Sequence, residues 1–210
     1  PPPPPPPFST RLRNTRFEPK SRGLGDVYKR QDLYDDPKWA AGFDVVIHNE
    51  CFANTKDAEY IRKITAAHHQ GANAVVIHCA MHTYRAAEID DWREFLGVTS
   101  RRHEHQSHYA VKVVAVDDPI MQGYPGDHKT AKDELYVIEK VWPGTKVLAT
   151  SESEKTGEAH PVFWTHSYGQ ARVFGTTYGH SNETFEDSVF LEALSRGTLW
   201  AAGKLTVTAP

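Results

Sequence analysis

A strand–helix–strand pattern between residues 43 and 79 constrains the fold of this chain more than any other feature. The apolar runs FDVVIHN (43–49) and ANAVVIHC (72–79) have the length and composition of buried strands. Between them, DAEYIRKITAAHHQG (57–71) repeats apolar residues every three positions and stops at a glycine, as an amphipathic helix does. Strands joined in this way by a helix lie parallel in one sheet, so the pattern predicts an α/β fold.

The rest of the chain continues the alternation of strands and helices. DDWREFLG (90–97) predicts a short helix, and VFLEALSRGTLWAAG (189–203) predicts a closing helix. Strands are expected at HYAVKVVAVDDP (108–119), KDELYVIEKVW (132–142) and KVLATSE (146–152), and a hairpin at HPVFWTHSYGQARVFGTTYGH (160–180). Pro143 and Gly144 form a natural turn between two of these strands. This order of elements indicates a sheet that is covered by helices on both faces and contains one antiparallel hairpin.

Composition limits the class of protein. The chain has 210 residues, of which 39% are hydrophobic and 24% charged, as expected for one globular domain. No apolar stretch approaches the roughly 18–20 residues that span a bilayer, so no membrane insertion is predicted. The net charge of −3 argues against a nucleic-acid partner, because binding phosphates requires a basic surface. The two cysteines, Cys51 and Cys79, provide no disulfide framework and no C-x-x-C motif.

The first 31 residues differ from the remainder. Seven prolines are followed by a basic segment without hydrophobic periodicity, which predicts a disordered tail. Its end, SRGLGDVYKRQ, resembles the translated adaptor text found at the ends of metagenomic reading frames. We therefore expect a non-native tail over 1–31, an organised domain over 32–204 and a short tail over 205–210. We expect the native N-terminus, with a first strand and any signal peptide, to be missing. The sequence therefore does not decide whether the protein is cytoplasmic or exported.

Polar residues follow the predicted strands where a ligand site is expected. In open α/β sheets, ligands bind at the carboxyl ends of the strands, so side chains at these ends should converge. The residues at these positions are Asn49, Glu50, His78, Cys79, His82, His180 and Glu183. Glu134 lies on an otherwise apolar strand, where a carboxylate either pairs with a cation such as Lys132 or Lys140 or acts as an acid or base.

Three further patterns have alternative explanations. Cys79 is a candidate nucleophile with His180 as base and Glu183 as the group that orients it, or else an inert buried cysteine. The segment RHEHQSH places His103, His105 and His108 close together, either as ligands for a metal such as zinc or as a solvated loop. Tyr84 and Tyr136 lie near the strand ends, and their rings suit either a sugar face or a hydrophobic core.

Several segments carry a resemblance to a known family. GANAVVIHCAMH, KDELYVIEKVWP, HPVFWTHSYGQARVFGTTYGHSNETF and LEALSRGTLWAAGK together resemble the ThuA (trehalose utilisation) family over about residues 32–204. This family is a branch of the class I glutamine amidotransferase-like superfamily. The resemblance implies a flavodoxin-like three-layer fold with a mostly parallel sheet. It also implies a role in bacterial carbohydrate metabolism, on disaccharides or their keto derivatives.

The resemblance also bears on two candidate residues. Cys79 falls at the position of the nucleophilic cysteine of the amidotransferases, and His180 at that of their catalytic histidine. Those enzymes separate histidine and glutamate by one residue, whereas two residues separate His180 and Glu183 here. ThuA-like chains commonly have serine or alanine at the cysteine position and keep the preceding histidine. Both differences favour His78 over Cys79 as the functional group.

The leading hypothesis is an enzyme-like domain that performs acid–base or metal-assisted chemistry on a sugar with His78, Glu134 and His180. A divalent metal such as zinc is the expected cofactor, a small sugar the expected partner, and self-association is left open. Residues expected to contact the substrate are Asn49, Glu50, Cys79, His82, Tyr84, Tyr136 and Glu183. Two alternatives remain: a non-catalytic sugar- or partner-binding domain, and a cysteine-dependent amidase or hydrolase that uses Cys79 and His180.

Overall fold

The computed structural model describes residues 31–205, with side chains from Leu33 onward. The predicted tail residues 1–30 and 206–210 lie outside the described residues. The strands are β1 Val46–His48, β2 Ala74–Ile77, β3 Val98–Ser107, β4 Lys112–Val113, β5 Asp133–Val141, β6 Thr145–Glu152, β7 Ala159–Tyr168 and β8 Ala171–Thr176. The α-helices are α1 Ala58–His69, α2 Asp91–Leu96 and α3 Ser188–Ala201. Short 3-10 turns cover Gln31–Asp35, His78–Met81 and Asn182–Glu186.

The main sheet has six strands in the order β1-β2-β8-β7-β6-β4. β1, β2 and β8 run parallel, and β7, β6 and β4 add antiparallel pairs. The strand–helix–strand prediction is confirmed, because β1 and β2 are parallel neighbours joined through α1. The predicted hairpin is also confirmed: β7 pairs with β8 up to Tyr168 and Ala171.

Side chains of β2 alternate between the two faces of this sheet. Val75 and Ile77 belong to a hydrophobic cluster that includes Phe190 of α3. Ala74 and Val76 belong to a second cluster, which contains residues of α1 and α2. Successive side chains of a strand point to opposite faces, so the sheet separates two cores that helices cover. The predicted α/β, flavodoxin-like three-layer architecture is thereby confirmed.

β3 and β5 form a separate two-stranded antiparallel sheet. Their register places His103 opposite Tyr136 and Gln106 opposite Glu134. Most of the histidine-rich segment is therefore a strand rather than a loop, and its three histidines are exposed to solvent. The turn at Pro143-Gly144 links β5 to β6, which belongs to the other sheet, so the two strands around it do not pair with each other.

The strand predicted over 108–119 is much shorter than expected. Only Lys112–Val113 is a strand, paired with β6. Before it, Val111 N–H donates to the His128 carbonyl at 3.0 Å, and after it Asp118 N–H donates to the Ala115 carbonyl at 3.0 Å. The backbone thus satisfies its hydrogen bonds in a loop contact and a turn rather than in a longer ladder.

Helix α1 begins where the sequence predicts. The Asp57 carboxylate accepts a hydrogen bond from the Tyr60 N–H at 3.1 Å, which caps the first turn. Gly71 follows the helix with a positive φ of 118°, a conformation that favours glycine. Within residues 31–205, no helix combines the length and the apolar character needed to cross a bilayer.

Candidate functional site

His78 lies at the carboxyl end of β2, directly after Ile77. Its φ of 41° is uncommon outside glycine and is the kind of local strain found at functional sites. Nδ1 donates a hydrogen bond to the Thr177 carbonyl at 2.8 Å, because a carbonyl oxygen can only accept. Nε2 therefore carries the lone pair in the neutral ring. Burial lowers the pKa of His78, which favours this neutral form.

Glu134 of β5 lies among three imidazole rings. One carboxylate oxygen is 3.7 Å from His78 Nε2 and 3.5 Å from His103 Nδ1. The other oxygen is 3.4 Å from His180 Nδ1. The residue is only 9% exposed, and of these ring nitrogens Nδ1 of His180 can donate to the carboxylate, because Nε2 of His78 carries a lone pair and Nδ1 of His103 donates to the Glu104 carbonyl. Of the two lysines considered as its partners, Lys140 instead stacks on the Trp142 ring at 3.0 Å.

His78, Glu134 and His180 have the geometry of a metal-ligand set. Among the described residues they are the one group of three such side chains whose ligand atoms all lie within 4.8 Å of one another. Ligands bound to zinc at about 2.0–2.1 Å in a tetrahedron lie roughly 3.4 Å apart. His78 Nε2 lies 3.7 Å from one oxygen of Glu134 and His180 Nδ1 lies 3.4 Å from the other, so each ring is at a comparable distance from the carboxylate. The Thr177 carbonyl on the other nitrogen of His78 is a typical outer partner of a ligating histidine. Two imidazoles and a carboxylate fit zinc and leave a fourth position open.

Asp133 joins the two segments that carry Glu134 and His180. It is 0% exposed and accepts hydrogen bonds from Glu134 N–H at 2.7 Å, Gly179 N–H at 2.9 Å and the Thr184 hydroxyl at 2.6 Å. The His180 N–H lies 3.3 Å from both of its carboxylate oxygens. Asp133 thus fixes the loop after β8 to β5, a role that the sequence did not reveal.

Stacked rings form one wall of the site. The rings of His82 and Tyr136 are nearly parallel, with centroids 4.2 Å apart, and His103 lies 5.7 Å from Tyr136. The Tyr136 hydroxyl donates to His78 Nε2 at 3.3 Å. Burial lowers the pKa of His82 to about 4, so this ring is neutral near pH 7 and stacks without an uncompensated charge.

His180 reaches the site from the loop after β8. Its ring lies 5.4 Å from that of His78, and its Nε2 is 2.7 Å from the side-chain amide nitrogen of Gln106. The preceding residue, Gly179, has a φ of 136°, and a Cβ there would lie 3.2 Å from the Cβ of His78. A glycine at this position lets the two histidine-bearing segments approach closely. Gln106 is a further contact that the sequence did not predict, because it depends on the pairing of β3 with β5.

Several residues expected to contact the substrate have other partners. Glu50 lies 2.8 Å from His48 Nδ1; burial opposes its ionisation, but the His48 contact prevails and lowers the pKa of the carboxyl. Tyr84 is 1% exposed and packs in the core against Trp92. Asn49 and Glu183 are exposed. The carboxylate of Glu183 accepts hydrogen bonds from its own backbone N–H and from Ser181, which lowers its pKa, whereas the carboxylate next to His180 is that of Glu134.

The structure separates the three histidines proposed as a metal site on RHEHQSH. His103 lies beside Glu134, His105 contacts Glu154 at 2.8 Å, and His108 donates to the Thr130 carbonyl at 2.9 Å. They point to different partners because the strand and its irregular register distribute them along β3 and past its end. Of the three, His103 alone adjoins the residues at the carboxyl end of β2.

Cys79 is half-buried beside His78. Burial raises the pKa of its thiol to about 11, so about one molecule in 10⁴ carries the thiolate near pH 7. A nucleophilic cysteine requires the opposite shift, from a nearby cation or helix N-terminus. The environment of Cys79 therefore does not favour the amidase or hydrolase chemistry considered from the sequence.

Solved structures with the same fold include two ThuA-like proteins. That from Parabacteroides merdae is 24% identical and aligns with a TM-score of 0.62 over 80% of this chain and 74% of its own. That from Bacteroides uniformis is 17% identical, with a TM-score of 0.63 over 79% and 72% of the two chains. A β-galactosidase from Rahnella sp. R3 is 17% identical, with a TM-score of 0.52 over 85% of this chain and 28% of its own. At these low sequence identities, the similarity between the structures shows a shared fold alone.

Sequence comparison identifies the family directly. A search of curated proteins found no match. The family model ThuA, described as trehalose utilisation, matches residues 24–201, which is most of the chain and includes every residue of the site described above. The chain therefore belongs to the ThuA family.

Proposed function

We propose that this protein is an enzyme that acts on a hydroxyl or carbonyl group of a small sugar, with a divalent metal such as zinc held by His78, Glu134 and His180. The observation that carries this proposal is the convergence of these three side chains within 4.8 Å at the carboxyl end of the parallel strands. Parallel α/β sheets bind ligands at this edge. Two imidazoles and a carboxylate are also groups that acid–base chemistry near pH 7 uses.

Each residue has a defined part in this proposal. A bound divalent ion would polarise a sugar oxygen and lower the pKa of a hydroxyl or water that it holds. His78 offers the lone pair of Nε2, because Thr177 fixes the proton on Nδ1. Metal binding there would replace the hydrogen bond from Tyr136 and free its hydroxyl to donate to a substrate oxygen.

Gln106 can form a hydrogen bond with either tautomer of His180. As the amide is placed, its nitrogen donates to His180 Nε2, which leaves a proton on Nδ1 facing Glu134. With the amide reversed, its oxygen accepts from Nε2–H and leaves the Nδ1 lone pair for a metal. His180 is the most exposed of the three groups, at 34% of its side chain, and in the metal-free site it is the one best placed to exchange a proton with a substrate.

A sugar is the substrate class that the surroundings favour. The His103 ring, 42% of whose side chain is exposed, lies next to the buried His82–Tyr136 stack and to hydrogen-bonding groups, a combination that suits the apolar and polar faces of a sugar. The family description, trehalose utilisation, supports the same class. Disaccharides and their keto derivatives are therefore the first compounds to assay.

The experiment is an activity assay of the zinc-loaded protein on a panel of disaccharides and keto-disaccharides. We expect turnover by the wild type and a loss of at least about 10²-fold in kcat/KM for Glu134→Gln. Glu158→Gln is the matched control, because Glu158 is exposed in the turn between β6 and β7. Equal turnover by wild type and Glu134→Gln would contradict the proposal. Calorimetric binding of a sugar without turnover would favour the non-catalytic alternative.

A further inference from the structure

The two cysteines of this chain follow neighbouring strands beside the candidate site. Cys51 follows β1 and Cys79 follows β2, and these strands are parallel neighbours. Both cysteines are free; Cys51 is exposed and Cys79 is half-buried. His48 pairs with Val76 in these strands, and Cys51 and Cys79 each lie three residues further along the chain. The thiol of Cys51 is thus accessible to solvent, and that of Cys79, at the end of the neighbouring strand, is partly sheltered.

Thr83 forms hydrogen bonds with the backbone at or next to both cysteines. Its hydroxyl donates to the Glu50 carbonyl at 2.6 Å and accepts from the Phe52 N–H at 3.0 Å, so it binds both chain neighbours of Cys51. The Thr83 N–H donates to the Cys79 carbonyl at 3.1 Å. Thr83 is only 1% exposed, so water does not compete for these bonds. One buried residue therefore sets the position of Cys51 relative to Cys79.

We propose that Cys51 and Cys79 form a reversible disulfide when the protein meets a low-molecular-weight disulfide such as oxidised glutathione. The exposed Cys51 sulfur attacks one sulfur of glutathione disulfide, forms a mixed disulfide and releases one glutathione thiolate. Cys79 then loses its proton to solvent, and its sulfur attacks the Cys51 sulfur and releases the second glutathione. Because both sulfurs belong to one chain, their high effective concentration offsets the small thiolate fraction of Cys79. Two protein thiols are oxidised and one glutathione disulfide is reduced, so atoms and electrons balance. This disulfide would link the loop after β1 to the turn that carries His78.

Intact-mass measurement after incubation with oxidised glutathione tests the proposal. We expect the wild type to lose about 2 Da and both free thiols, and dithiothreitol to restore them. Cys79→Ser should stop at the mixed disulfide, with a gain of about 305 Da on Cys51. Cys51→Ser should react far more slowly, because the remaining thiol is sheltered. A wild type that accumulates the glutathione adduct, or that keeps two free thiols, would overturn the proposal.

Thr83→Val tests the role of the fixed geometry. This change removes the hydroxyl that binds Glu50 and Phe52, so the mixed disulfide should persist longer before the internal disulfide closes. Thr55→Val is the control: Thr55 lies in the same loop, and its hydroxyl makes no hydrogen bond to the described residues. We expect the Cys51–Cys79 disulfide to form at the wild-type rate in Thr55→Val and several-fold more slowly in Thr83→Val. Equal rates in the two variants would show that Thr83 does not position the two cysteines.

Discussion

Asp133 holds together the segments that carry the site. Its buried carboxylate accepts hydrogen bonds from the backbone of Glu134 and Gly179 and from the hydroxyl of Thr184. A buried carboxylate is tolerated only when its lone pairs are satisfied, and here the donors come from both β5 and the loop after β8. The position of His180 relative to Glu134 therefore depends on a residue that does not itself face the substrate.

Replacing Asp133 with asparagine should weaken this connection. The amide keeps one acceptor oxygen, but it loses the charge and turns a donor toward groups that also donate. We expect a loss of about 1–3 kcal/mol in the free energy of unfolding, measured by urea denaturation. Asp117→Asn, in an exposed loop, is the control. A stability equal to that of the wild type would mean that the Asp133 hydrogen bonds are not what holds the loop.

His68 is the buried group that most affects the pH dependence of stability. It is 0% exposed, donates from Nδ1 to the Ala72 carbonyl at 2.6 Å and lies 2.9 Å from the Nε2 of His48. Burial, followed by the repulsion from His48, lowers the pKa of His68 from 6.5 to about 3. The folded state therefore binds this proton less readily than the unfolded state.

Stability should accordingly fall as the pH decreases from about 6.5 toward 3. A histidine with a lowered folded pKa contributes no pH dependence above the unfolded value, and below it favours the unfolded state by up to about 1.4 kcal/mol per pH unit. Urea denaturation across this range should give a shallower slope for His68→Gln than for the wild type. The exposed His105→Gln serves as control, and identical slopes for wild type and His68→Gln would refute the assignment.

At the level of secondary structure, the local sequence pattern predicted most strands, β5 included, but it overestimated the length of β4 and missed β3, and with β3 the second sheet. The β1–α1–β2 unit and the β7–β8 hairpin have short connections and regular apolar spacing, so the sequence was sufficient to place them. The pairing of β3 with β5 joins segments far apart in sequence and contains register shifts. The polar residues of β3 have no apolar periodicity, and only the partner strand makes this segment extended.

The contact between α3 and β8 gives a test at this scale. Gly197 of α3 faces the Phe174 ring so closely that a Cβ there would overlap it. Alanine favours a helix over glycine by about 1 kcal/mol, but the overlap should cost more. We expect Gly197→Ala to lose about 1–3 kcal/mol in thermal or urea unfolding. Gly126→Ala, where a Cβ meets no atom within 4 Å, should change little, and a stabilised Gly197→Ala would contradict this packing.

For the whole molecule, the sequence predicted that polar side chains at the strand ends converge, without giving their arrangement. His78, Glu134 and His180 come from the end of β2, from β5 and from the loop after β8, and the structure brings them together as predicted. Strand-end position was enough to select His78 and His180. The roles of His103, Gln106 and Asp133 depend on the β3–β5 register and on the loop after β8, which no local pattern encodes.

The central claim is that His78, Glu134 and His180 bind one divalent metal ion, and a zinc titration of the metal-stripped protein by calorimetry tests it most directly. The control is Glu158→Gln, which leaves the three side chains untouched and should bind as the wild type does. We predict one zinc ion per chain for the wild type and at least about 100-fold weaker binding for Glu134→Gln. A wild type that binds no zinc, or a Glu134→Gln variant that binds it equally well, would contradict the account.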